Sequence, residues 1–186
     1  MRETVNRLII VKVGGSVITR KDRNFSANRR LINRICKVLG EIKEEMIVIH
    51  GAGSFGHPVA KKYGIHLGYW NRSQLRGFTE LKHKMQELSQ LILLSGMKAK
   101  LPLAPIMPSS CLIAKKGRIA RFETGPLRKL LRIGLIPMLS GDVVADEDMG
   151  FSIVSGDQLA AYLAREMKAK KVIFGCDVDG VYTDDP

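Results

Sequence analysis

Four clusters of glycine and polar residues carry the chemistry legible in the chain: Lys12-Val13-Gly14-Gly15-Ser16, Gly51-Ala52-Gly53-Ser54-Phe55-Gly56-His57, Gly141-Asp142 and Asp177-Val178-Asp179-Gly180. Glycine lets a main chain approach an anion because no Cβ stands in the way, and amides brought up in this manner bind phosphate oxygens. Lys12, separated from a glycine pair by Val13 alone, adds a point charge to such a cradle. Two familiar phosphate motifs are excluded by spacing. Gly51 to Gly56 formally matches GxGxxG, yet a dinucleotide site should open a regular helix and be followed about 20 residues later by an acid for the ribose. Here Pro58, Gly64 and Gly68 interrupt, and no Asp or Glu lies between Glu45 and Glu80. A Walker A loop is out as well, because no GxxxxGKS/T occurs and Lys12 precedes its glycines.

The elements that must position these clusters follow from apolar patterning. Leu8 to Val11 is a short β-branched run ended by Gly14-Gly15, the pattern of a strand buried on both faces. Leu31, Ile32, Ile35, Val38, Leu39 and Ile42 recur at helical spacing behind Asn28, a good N-cap. Met46 to His50 reads as the next strand. Residues 57–77 show no clean period and read as a functional loop region. From Phe78 to about Ala99 an amphipathic helix is expected, with Lys82, Lys84 and Glu87 outward. Three short strands between Pro102 and Phe122, a helix over 127–133 with Pro126 at its start and Gly134 after its end, and a strand over 135–139 follow. A hairpin-like stretch through 151–154, a helix over 158–170 and a strand over 171–176 complete the reading. This alternation predicts an α/β protein on a largely parallel sheet. In such sheets ligands bind at the carboxyl ends of strands, so the four clusters, each following a strand, gather on one edge.

Composition narrows the class. At 186 residues and 45% hydrophobic content the chain has material for one domain with a substantial core, and no apolar run approaches the roughly 20 residues that span a bilayer. Met1 to Arg7 lack a secretory h-region, and Cys36, Cys111 and Cys176 are far apart and unpaired by motif, so a cytoplasmic, reduced protein without a structural zinc site is expected. The net charge of +12 invites a nucleic-acid reading. Residues 1–141, however, hold 26 Lys+Arg against 8 Asp+Glu, a net +18, whereas residues 142–186 hold 4 against 10, a net −6. That polarity suits a site where a basic part grips phosphates and an acidic part handles lysines or magnesium; a solvated basic face is the plain alternative.

Taken together, the four clusters with Ser155-Gly156-Asp157-Gln158 and Val181-Tyr182 resemble the signatures of the amino acid kinase superfamily. The segment His50 to His57 and Lys21 make the resemblance strongest to the archaeal isopentenyl phosphate kinase family. It covers essentially the whole chain in order and implies a three-layer αβα sandwich around a largely parallel sheet, a single domain over 1–186. Members continue with further strands and helices, so the resemblance also implies a nucleotide-binding part left incomplete at Pro186. The implied reaction is ATP-dependent phosphorylation of isopentenyl phosphate, with ATP and Mg²⁺ as cofactors, a small phosphate as partner and a homodimer as assembly. Specific nucleic-acid and membrane partners are not implied, and no residue is assigned as a metal ligand.

By that resemblance Lys12 contacts the transferring group, Gly14 and Gly15 face the ATP phosphates, and Lys21 neutralises phosphate charge. Ala52, Gly53 and His57 line the junction of acceptor and donor, with the His57 imidazole on the acceptor phosphate. Gly156 lies beside the acceptor, Asp157 holds the lysines in register, and Asp177 and Tyr182 approach the nucleotide. Asp157 as a mere helix cap is the competing reading; His50, His66 and His83 receive no role. The residue types agree with the chemistry. Phosphoryl transfer needs positioning and positive charge on the equatorial oxygens. A phosphate monoester, with a second pKa of roughly 6, is already largely dianionic at pH 7 and needs no base. The alternatives left open are a kinase of another small phosphate or phosphonate such as fosfomycin, and a catalytically idle polyanion-binding protein.

Overall fold

A computed structural model describes residues 7–178. Its centre is a five-stranded sheet of β1 (Ile9–Val13), β2 (Met46–His50), β3 (Leu103–Pro105), β6 (Ile136–Ser140) and β9 (Lys171–Gly175). The strand order is β3-β6-β2-β1-β9 and every pairing is parallel. The inner strands β1, β2 and β6 are largely apolar because both faces are covered, whereas the edge strand β9 exposes Ile173 and Phe174. Ile10, Ile47, Ile49 and Leu139 pack with Leu127, Leu159 and Leu163 from α5 (Gly125–Arg132) and α6 (Gly156–Glu166). Ile9, Val11, Val48 and Met138 pack with Ile32, Cys36, Leu88 and Ile92 from α2 (Arg29–Glu41) and α4 (Ser73–Lys98). This is the three-layer αβα sandwich expected from the sequence. Asn28 caps α2, its side chain accepting from the Leu31 N–H at 3.2 Å.

A second sheet, ordered β5-β4-β7-β8, is built from β4 (Leu112–Lys115), β5 (Arg118–Phe122), β7 (Asp142–Asp146) and β8 (Gly150–Val154). The Asp146 carboxylate organises its turns, accepting from the N–H groups of Lys116, Gly117, Asp148 and Met149 at 2.9–3.1 Å. Burial alone would raise its pKa; the hydrogen bonds, led by that from Gly117, hold it at about 2 instead.

The expected loop over 57–77 is corrected. Gly53–Tyr63 form α3, Ile65–Leu67 a 3-10 turn, and α4 already starts at Ser73. Pro58 lies inside α3 and has no N–H to give the Ser54 carbonyl one turn earlier. That carbonyl accepts from the Phe25 N–H at 3.0 Å, so a neighbouring loop satisfies what proline leaves open. The glycine loop therefore does open a helix, and of the two arguments against a dinucleotide site only the missing acid stands. Lys82 also differs from expectation: it turns inward to Asp142.

Candidate active site

The first three clusters and Asp177-Val178 of the fourth meet at the carboxyl edge of the central sheet, where backbone bonds run from Gly14 N–H to Gly175 O at 2.7 Å, Gly51 N–H to Val13 O at 2.9 Å and Gly141 N–H to His50 O at 3.2 Å. The loops after β1 and β2 interlock. A Cβ on Gly51 would lie 2.5 Å from Gly15 N, and one on Gly15 would lie 2.6 Å from Gly53 Cα. Gly53 has φ +48°, a conformation that favours glycine. Thr19 joins the loops, its hydroxyl donating to Gly15 O at 2.7 Å and accepting from Ser54 N–H at 3.0 Å. Neither α1 (Gly15–Ile18) nor α3 has a side-chain cap bond at its start. For α3, such an uncapped start suits an anion.

Two cavities share this edge. The smaller, about 150 Å³, is lined by Ala52, His57, Gly141, Asp142, Gly156 and Asp157, with Leu81, Met85, Val143 and Ile153 as an apolar wall. The larger, about 450 Å³, is lined by Gly14, Ser16, Lys21, Asn24, Gly53 and Cys176 among others. Lys12, Gly15 and His57 line both. Lys12 leaves β1 at its fourth residue with a side chain only 13% exposed, and its Nζ stands 2.9 Å from Asp157 Oδ1. Asp157 is not the cap of α6. Ser155 is, accepting from the Gln158 N–H at 3.1 Å, which leaves the Asp157 carboxylate free for Lys12.

Asp157 does not hold both lysines. Lys21 pairs with Asp177 at 2.7 Å, and Ser16 donates to the same carboxylate at 2.6 Å. The Lys21 hydrogen bond first, then that of Ser16, brings the Asp177 pKa down to about 2. Tyr182, Asp179 and Gly180 lie outside the described residues. His50 has the structural role its lack of assignment anticipated: 1% exposed, it bonds Gly51 O at 3.1 Å and Ser89 Oγ at 2.9 Å. Burial pushes its pKa down to about 4, so it is neutral at physiological pH. Sequence reasoning missed Thr19, whose clue was its place four residues after Gly15, and the Lys82–Asp142 pair, whose clue was a carboxylate opening an apolar strand.

Residues 7–186 match the model of the amino acid kinase family. The chain is 37% identical over 187 residues to isopentenyl phosphate kinase of Methanothermobacter thermautotrophicus, covering 96% of this chain and 70% of that relative. It is 34% identical to the isopentenyl phosphate kinase of Methanocaldococcus jannaschii, covering 95% and 72%. Among solved structures, an isopentenyl phosphate kinase superposes with a TM-score of 0.90 at 37% identity, over 96% of this chain and 75% of that one. The product complex of the Thermoplasma acidophilum enzyme superposes with a TM-score of 0.86 at 31% identity, over 96% and 74%.

Proposed function

The chain belongs to the amino acid kinase family, and we propose that it transfers the terminal phosphoryl group of ATP to isopentenyl phosphate, giving isopentenyl diphosphate. The observation that carries this reading is Lys12, held by Asp157 where the small cavity and the larger groove meet. The groove, with glycine loops and Lys21, takes the nucleotide phosphates; the cavity takes the acceptor, its phosphate toward His57 and its hydrocarbon toward Leu81, Met85, Val143 and Ile153. Transfer along this line puts developing charge on the equatorial oxygens beside the Lys12 ammonium. The acceptor dianion attacks without losing a proton, so the role of His57 is to donate a hydrogen bond to its phosphate.

No group of three or more His, Cys, Asp or Glu among the described residues is placed to hold a metal ion. Mg²⁺ in this reading arrives on the nucleotide phosphates, its usual mode of binding, and neutralises their charge. Among the described residues no helix is long and apolar enough to cross a membrane. The reading places the chain, as one kinase domain, in the cytoplasm, where its free thiols stay reduced. It also makes the protein a homodimer, for which the unpaired outer edge of β3 and exposed Leu94, Met97 and Met107 offer a surface; light scattering checks the mass.

The test is a coupled assay for ADP release with isopentenyl phosphate, fosfomycin and isopentenol as acceptors, on the protein and on His57→Ala. Turnover is expected with isopentenyl phosphate, reduced about 100-fold or more by the substitution. Turnover of fosfomycin alone would move the acceptor assignment, and turnover of none would end the kinase reading for this chain.

A further inference from the structure

Each carboxylate that lines the acceptor cavity has its own lysine. Asp157 has Lys12 at 2.9 Å, and Asp142 has Lys82, whose Nζ stands 2.7 Å from both Asp142 oxygens. The second pair is the more buried, with side-chain exposures of 19% for Lys82 and 4% for Asp142. It joins three elements: α4 through Lys82, β7 through Asp142, and the 3-10 turn Pro108–Ser110 through Ser109, whose N–H donates to Asp142 Oδ2 at 3.0 Å and whose hydroxyl accepts from Lys82. Asp142 lines both the acceptor cavity and a neighbouring groove, which Lys82 also lines. Asp142 is thus shared by the two spaces, with Lys82 on the groove side.

We propose that Lys82 is a positioning residue for the acceptor, cancelling the Asp142 charge in the cavity wall so that a phosphate dianion can bind there. The proposal rests on the reading that the acceptor is a phosphate. With both lysines the four charges of Lys12, Asp157, Lys82 and Asp142 sum to zero. Without Lys82 the wall carries a net negative charge facing a dianion, and the Asp142 carboxylate, 4% exposed, is little screened by solvent. The ionisable side chains lining the cavity itself are Lys12, His57, Asp142 and Asp157, with Lys82 reaching it through Asp142; Cys111, whose thiol is pushed up by burial and then by the charges of Asp142 and Glu123, stands outside it.

The test is calorimetric binding of isopentenyl phosphate and of inorganic phosphate to the protein and to Lys82→Met, Lys82→Arg, Asp142→Asn and the Met/Asn double variant, with circular dichroism as the check on folding. At pH 8 Lys82→Met is expected to bind isopentenyl phosphate about 10- to 100-fold more weakly. Lys82→Arg and the double variant should bind within about threefold of the parent, and Asp142→Asn at least as tightly as the parent. A double variant as weak as Lys82→Met, or weaker binding by Asp142→Asn, would overturn the proposal and leave the pair a packing device. If Lys82→Met does not fold, the Asp142→Asn result still decides. Saturable phosphate binding by a parent protein that turns nothing over would strike the kinase reading and spare the pair; absence of any saturable phosphate binding would end both.

Discussion

At the scale of single residues, Lys12 and Asp157 are expected to differ in weight although they touch. Lys12 is enclosed and lines both cavities, whereas the Asp157 side chain is 60% exposed. Lys12→Met should lower kcat with isopentenyl phosphate about 100- to 1,000-fold, the scale of losing one preorganised charge at a transition state. Asp157→Asn, which keeps a polar partner, should lower it about 10-fold, through Lys12 being less well held. A pair whose carboxylate is largely in solvent is worth little, so neither change should move the unfolding free energy by more than about 1 kcal/mol. Equal losses in kcat would mean that Asp157 does more than hold Lys12. Lys12 and His57 stood out in the sequence by their places next to glycine loops, whereas Gly156 was implied only by the family resemblance; all three line the small cavity. The partner of Lys21 was not legible. Asp157 and Asp177 both follow strand ends in the acidic part of the chain, and only the folded path of the loop after β1 puts Lys21 on Asp177.

At the scale of elements, the glycines do two jobs, and the sequence suggested one of them. Their freedom to approach a phosphate was readable, but their contact with each other links loops about 35 residues apart and leaves no local signal. Gly15→Ala should therefore cost about 1–3 kcal/mol by overpacking and abolish turnover, since the loops after β1 and β2 must separate. Gly134 is the useful contrast. It has φ +84° and no atom within 4 Å of an added Cβ, so Gly134→Ala should cost about 1 kcal/mol of backbone strain and leave kcat intact. Urea unfolding and initial rates on both variants separate the two cases; a Gly15→Ala enzyme with parental kcat would show that the interlock is not part of the site. The inner strands β1, β2 and β6 were legible because they are short apolar runs buried on both faces. Helix α3 was not, because glycine and proline lower its local propensity, and the compensation comes from Phe25, far away in sequence. Lys82 escaped for a related reason: a long side chain on the polar rim of an amphipathic helix can point either way, and a buried acid decided it.

At the scale of the whole molecule, the charge polarity along the chain is resolved by folding the acidic part back onto the basic one. Asp142, Asp157 and Asp177 face Lys82, Lys12 and Lys21, and Glu147 lies near Lys115 and Arg121. A basic composition thus serves phosphate-handling lysines with fixed counter-ions, which a count of charges alone does not distinguish from a nucleic-acid surface. The same arrangement sets the acid response, in two windows. His50 is buried and neutral, with its pKa lowered from 6.5 to about 4, so the unfolded chain binds a proton there first. Its contribution is complete above pH 6.5 and is lost as pH falls toward 4, to a limit of about 3 kcal/mol. Asp146 and Asp177, both lowered from 3.8 to about 2, contribute above 3.8 and lose that contribution only as pH falls toward 2. Urea midpoints should therefore decline between pH 7 and 4.5, before either aspartate matters. His50→Gln, less stable at pH 7, should flatten that decline while leaving the steeper one below pH 3.8. If the His50→Gln protein keeps the full slope between pH 6.5 and 4.5, the proton is taken up elsewhere and the neutral imidazole between Gly51 and Ser89 is not the group that sets it.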